Sequence, residues 1–228
     1  MTINYFYCVK PLFILFLSIG LAFSGAQAQN NFDIQIAKLQ YEGGGDWYSN
    51  PTAVPNLIDF VRRSTNVQLD PEEYLVKPGG TQIFQYPYVY MTGHGNVVFT
   101  DEEAKNLRTY LLSGGFLHID DNYGMDKYVR REMKKVFPDL DFVEVDWEHP
   151  IFHQQYDFEK GLPKIHEHDK KPPQGFGIIY ENRLVCFYTY ECDLGDGWED
   201  ANVHNDPPEV REAALKMGAN IVIYALNH

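Results

Sequence analysis

The residues that could do chemistry gather where apolar runs give way to glycine-rich loops. "YEGGGDWYSN" carries Asp46 and Trp47 behind three glycines. "MTGHGN" holds His94 between two glycines, an open turn that exposes an imidazole for general-base work or metal ligation. Otherwise it is a turn histidine bonded to backbone. "GGFLHIDDNYG" is an apolar run that ends in Asp120 and Asp121, then turns through Asn122 and Tyr123. Two adjacent carboxylates suit a catalytic pair or, with an amide oxygen, a hard cation. Strand alternation sends them to opposite faces, so they are also read as an Asx turn and a helix cap.

Further histidines are weaker signals. His118 sits inside an apolar run and reads as a hydrogen-bonded core histidine. In "HPIFH", Pro150 spoils a helical metal face for His149 and His153. "HEH" puts His166 and His168 on one side of a strand, but no third ligand is evident. "DLGDGWED" resembles a calcium loop, yet Gly197 falls fifth from Asp193 and His204 takes the twelfth place. Trp198 beside its glycines reads as an exposed stacking platform, or as a plug for the preceding loop region. G-x-G-x-x-G, G-x-S-x-G and P-loop patterns are all missing from the sequence.

These loops need a scaffold, and the periodicity supplies one. "FDIQIAKLQY" alternates as a first strand, "AVPNLIDFVRRS" is an amphipathic helix, and "TNVQLD" reads as a second strand. "YPYVYMTG" is a third strand. Thr100 and Glu103 form a capping box at the start of a helix that ends at Gly114 and Gly115. "FLHID" is a fourth strand, "DKYVRREMKKVF" a helix stopped by Pro138, and "DFVEV" a fifth strand. "GFGIIYENRLVCFYTY" is a hairpin turning at Glu181-Asn182, and Glu209–Leu226 is a last helix, apolar at Ala213, Leu215, Ala219, Ile223 and Leu226. Alternating strands and helices predict a mostly parallel α/β sheet with helices on both faces, plus the C-terminal hairpin and helix. In a flavodoxin-like order, strands one, three and four are neighbours. Their loops then face one crevice at the carboxyl ends of the strands.

The 228 residues suffice for one sizeable core. "PLFILFLSIGLAF" followed by Ala26-Gln27-Ala28 fits a cleaved signal peptide, residues 1–28, too short for a membrane span. The expectation is an exported protein, periplasmic or secreted, with no stable membrane span after cleavage. Residues 29–228 then form a single α/β domain, with an irregular insertion near 146–175. Net charge is −13, and cleavage removes Lys10 and no acid, giving −14. That disfavours nucleic acid or an anionic membrane as partner. Cys186 and Cys192 lie on one extended run of about 20 Å, beyond the roughly 7 Å a disulfide spans, and read as buried free thiols.

"TGHGNVVFTDEEAKNLRTYLLSGGFLHIDDNYG", "REMKKVFPD", "HPIFHQQYDF", "DLGDGW" and "ALKMGANIVIYAL" together resemble the bacterial family called domain of unknown function 4159. The resemblance implies a class I glutamine amidotransferase-like fold, a flavodoxin-like sandwich. Amidotransferases of that fold use a Cys nucleophile on a strand-to-helix elbow, with His and Glu partners. The comparable elbow here, Asp120 to Gly124, has neither Cys nor Ser, so thiol-based glutamine hydrolysis is not expected. Relatives of the fold such as trehalose-utilisation-like proteins bind sugars or related small molecules, an analogy of fold alone.

Two functions follow as expectations. One is a non-catalytic binding domain for a small molecule, glycan or protein. Its site is Asp46, Trp47, His94, Asp120, Asp121, Tyr123 and Trp198, with the aromatics stacking and His94 and Asp121 orienting the ligand. The other is a metal-assisted hydrolase using Asp120, Asp121 and His94.

Overall fold

Seven strands form a single sheet in a computed structural model that describes Met1 and residues 34–228. The expected signal segment and the first residues of the first strand lie outside the described residues. The elements run β1 (Ile34–Leu39), α1 (Ala53–Ser64), β2 (Leu69–Val76), β3 (Tyr88–Gly93), α2 (Asp101–Leu112), β4 (Phe116–Asp121), α3 (Asp126–Val136), β5 (Val143–Glu144), β6 (Gln174–Tyr180), β7 (Arg183–Tyr190), α4 (Leu194–Trp198), α5 (Ala201–His204) and α6 (Pro208–Asn227). The strand order is β2-β1-β3-β4-β7-β6-β5. The first five strands in that order pair in parallel. β6 runs antiparallel to both β7 and β5.

Two apolar layers cover the sheet. α1, α4 and α6 pack on one face, around Leu57, Tyr90, Trp198 and Met217. α2 and α3 pack on the other, around Leu107, Ile119, Val129 and Tyr188. β3 and β4 are buried along their whole length, as central parallel strands must be when helices cover both faces. The capping box forms as expected: Thr100 Oγ1 accepts from the Glu103 amide at 3.2 Å, and Glu103 Oε2 accepts from the Thr100 amide at 2.8 Å. The hairpin turns at Glu181-Asn182, both at positive φ, which matches the right-handed twist of its strands.

Three elements differ from the periodicity reading. β2 begins at Leu69, so "PEEYLV" belongs to it and "TNV" does not. It is an edge strand, where a proline costs no ladder bond, and a register shift between Ile34 and Ile36 falls opposite Pro71. "DFVEV" supplies only Val143 and Glu144, paired antiparallel at the opposite edge. α6 buries Ala214, Met217, Ile221 and Tyr224, whereas Ala213, Leu215, Ile223 and Leu226 are half-buried. Among the described residues no helix is long and apolar enough to cross a membrane.

Candidate functional site

Parallel pairing brings the carboxyl ends of β1, β3, β4 and β7 to one end of the sheet, so the loops that leave them lie side by side. The first two loops meet through Asp46 and His94. Asp46 Oδ1 accepts the His94 backbone amide, and Asp46 Oδ2 lies 3.0 Å from His94 Nδ1. His94 is exposed and Trp47 half-buried, its ring edge-on to Tyr48 with centroids 5.6 Å apart. Asn122 Nδ2 reaches Ser49 Oγ at 3.5 Å, so the loops after β1 and β4 also approach each other.

Asp120 and Asp121 part as strand geometry requires. Asp121 Oδ1 accepts from the Met125 amide at 2.9 Å at the start of α3, and its Oδ2 accepts from Tyr188 Oη at 2.9 Å. Asp120 points to the opposite layer and is wholly buried. It accepts from Thr189 Oγ1 at 2.5 Å, Gly195 N at 2.7 Å, and both Leu194 N and Tyr90 Oη at 3.3 Å. Burial still pushes its carboxyl up to about 6. Both carboxylates thus hold protein groups in place, and neither presents a free oxygen pair to a substrate or cation.

Behind Asp120 runs a buried relay. Tyr88 Oη lies 2.9 Å from His118 Nδ1, and His118 Nε2 lies 3.1 Å from Thr189 Oγ1. Burial lowers His118 to about 3. Its neutral ring can accept from Tyr88 and donate to Thr189, which in turn donates to Asp120. The unfolded chain takes up this proton below about 6.5, while the folded chain resists it down to about 3. His118 therefore removes stability as pH falls through that window. Urea titrations should show the wild type losing about 2 kcal/mol relative to His118→Gln between pH 7 and pH 5. A gap that stays constant over that range would mean that folding leaves the His118 pKa where the unfolded chain has it.

Asp120 also explains the loop after β7. Asp193 takes a left-handed conformation, φ 57°, and α4 starts with its amides aimed at Asp120. A Cβ on Gly195 would sit 2.3 Å from Tyr90 Oη and 3.1 Å from Asp120 Oδ2, so only glycine permits this approach. Trp198 then ends α4 fully buried, its Nε1 donating to Ala214 O at 2.8 Å. The expectation of an exposed stacking platform is corrected: the indole faces Tyr90 and His118 in the core and can stack on no ligand.

What this loop does bring forward is acidic. Asp193 is buried, with Oδ2 2.5 Å from His168 Nε2 and Oδ1 without a hydrogen-bond partner. Burial first, then Asp120 and Asp196, push its carboxyl up to about 8. Asp196 Oδ2 lies 2.8 Å from His166 Nδ1, and Asp206 Oδ1 lies 3.0 Å from His166 Nε2. Burial opposes the charge on His166, but Asp196 and Asp206 outweigh it and raise its pKa. His204 Nε2 stands 3.7 Å from Asp196 Oδ1, which also accepts from Asn50 Nδ2 at 2.8 Å. His166, Asp196 and His204 each offer a ligand atom within 4.8 Å of the others.

Beside this cluster opens a cavity of about 220 Å³, lined by Tyr123, His168, Asp169, Tyr190, Glu191 and Asp193 among others. The Tyr123 ring stacks on His168 with centroids 4.5 Å apart, and its hydroxyl donates to Asp169 at 2.9 Å. Tyr123 is about half exposed and held at φ 91°, an unusual conformation for a bulky residue. Lys171 and Lys164 pair with Asp169 and Glu191 at the rim.

Of the residues expected from sequence, Asp121 and Tyr123 line the cavity, and Asp46, Trp47 and His94 form a neighbouring group. Asp120 is an internal post and Trp198 a core residue. Asn50 and Asp206 give no signal in the sequence, and His166, His168, Asp193, Asp196 and His204 lie in motifs whose bland reading is preferred there. "HEH" and "DLGDGWED" were visible, but each lacks partners until the fold joins them. The chain belongs to the family described as a domain of unknown function (DUF4159), whose model matches residues 35–226. No curated protein matches it.

Proposed function

We propose that this chain is an exported, non-catalytic binding domain that takes a polar, ring-sized small molecule or glycan unit bearing an amine. The observation that carries this reading is the cavity at the ends of β4 and β7. Its lining includes the stacked Tyr123 and His168 rings together with Asp169, Glu191 and Asp193. An aromatic face binds the apolar side of a sugar ring. The five acidic residues of the lining outnumber the rim lysines Lys164 and Lys171 and so favour an amine, while Asp193, neutral below about 8, serves as a hydroxyl partner and not as a charge. Two further facts support binding over covalent catalysis. The turn from Asp120 to Gly124 carries no Cys or Ser. Cys186 and Cys192 are wholly buried, and burial raises both thiols. The order β2-β1-β3-β4-β7 supports a flavodoxin-like sheet of the class I glutamine amidotransferase kind. Export rests on the apolar run and Ala-x-Ala site of residues 1–28.

Calorimetric titration with glucosamine, galactosamine and their neutral parent sugars tests the reading. The amino sugars should bind more tightly than the neutral ones. Tyr123→Ala, which removes a ring outside the core, should weaken binding by about tenfold or more. Equal binding to the folded variant, or no binding of any sugar to the wild type, sinks the proposal.

A further inference from the structure

The loop after β7 and the irregular segment before β6 meet at a point where three side chains can share one ion. We propose that His166, Asp196 and His204 bind a divalent first-row transition ion, with Asp206 and Asn50 orienting the ligands. The donor set is two imidazoles and a carboxylate, the combination found for zinc and its neighbours when three protein ligands leave a position open. Bonds of about 2.0–2.2 Å around one ion put tetrahedral ligand atoms roughly 3.4 Å apart. The three ligand atoms here lie within 4.8 Å of one another, so small side-chain rotations suffice.

The surrounding groups are those such a centre needs. If His166 ligates through Nδ1, the nitrogen beside Asp196, its Nε2–H donates to Asp206 Oδ1 at 3.0 Å. That is the carboxylate–histidine–metal arrangement that fixes tautomer and ring orientation. Asn50 Nδ2 holds Asp196 Oδ1 at 2.8 Å from the loop after β1. Two nearby oxygens lack any hydrogen-bond partner although their side chains are nine-tenths or more buried: Asp193 Oδ1 and Asp206 Oδ2. Asp193 also reaches this point, its Oδ2 3.8 Å from His166 Nδ1. Among the described residues, the ionic partners of Asp193, Asp196 and Asp206 within 4.0 Å are histidines, with no Lys or Arg holding these acids in a fixed ion pair.

The inference stands apart from the sugar reading, since His166, Asp196 and His204 are not among the residues that line the cavity. An ion there would pin the residue 166–168 segment to α4 and α5. The whole chain, stripped with a chelator, is titrated with Zn²⁺ and Co²⁺ by calorimetry and followed by thermal melting. One equivalent should bind and raise the melting temperature. Co²⁺ should give the visible absorption of a low-coordinate nitrogen–oxygen site, and Ca²⁺ at equal concentration should not compete. His204→Ala, a partly exposed position on α5, should weaken Zn²⁺ at least tenfold. Asp206→Asn should weaken it by about 10- to 100-fold. His153→Ala, at a separate surface pair with Asp157, should change nothing. Absence of one-equivalent binding to the wild type overturns the proposal. So does a His204→Ala protein that melts normally and keeps wild-type affinity.

Discussion

Asp120→Ala should destabilise the protein by about 3–5 kcal/mol in urea unfolding, with little change in slope. The carboxylate is wholly buried and accepts from Thr189, Tyr90 and the amides of Leu194 and Gly195. Truncation leaves the Leu194 and Gly195 amides and the Tyr90 hydroxyl without this acceptor in a buried site, while Thr189 can still donate to Ile119 O at 3.3 Å. Each unpaired buried group costs roughly 1–3 kcal/mol, less what local relaxation recovers. Asp120→Asn should recover only part of the loss, because its amide NH₂ would face donors. The same change should loosen the start of α4 and weaken whatever Asp193 and Asp196 hold. A loss below about 1 kcal/mol would show that the loop after β7 does not depend on this post.

Trp198→Ala is expected to cost about 3–5 kcal/mol, the range for emptying a buried aromatic site. The indole is fully enclosed, with ring centroids 5.2 Å from Tyr90 and 5.9 Å from His118. Gly218 on α6 has no room for a side chain, since a Cβ there would lie 2.8 Å from the indole. Collapse around the cavity is therefore limited, and the cost should sit near the upper half of the range. Trp198→Phe should cost less, because most of the apolar volume stays. A platform for stacking would behave in the opposite way, with ligand affinity lost and stability kept. Urea unfolding of Trp198→Ala that matches wild type would restore that role.

The helices were legible because their signals are local. Val54, Leu57, Ile58 and Val61 recur at helical spacing and are buried. Val129, Met133, Val136 and Phe137 do the same on α3 and at its end. Thr100 and Glu103 mark a cap that four residues of sequence suffice to specify. β2 was misread because its proline sits at a sheet edge, and an edge is a property of the whole sheet. The broad apolar content of α6 hid its buried face for a similar reason: its partners, α1 and α4, are distant in sequence.

The site divides along the same line. Alternation within one strand was enough to separate Asp120 from Asp121, and the short β–α loops placed Asp46, His94 and Tyr123 at one end of a parallel sheet. Those conclusions need only neighbours along the chain. Whether Trp198 is exposed depends on α6 closing over it, and sequence composition at "GDGW" is blind to that. His166 stands 30 residues before Asp196, which has His204 eight residues beyond it, and Asn50 reaches Asp196 across 146 residues. The sequence by itself determined which residue types stand at the strand ends. The tertiary structure alone decided which of them meet, because ligand distance is set by how β7 docks beside β4 and how Asp120 draws the following loop inward.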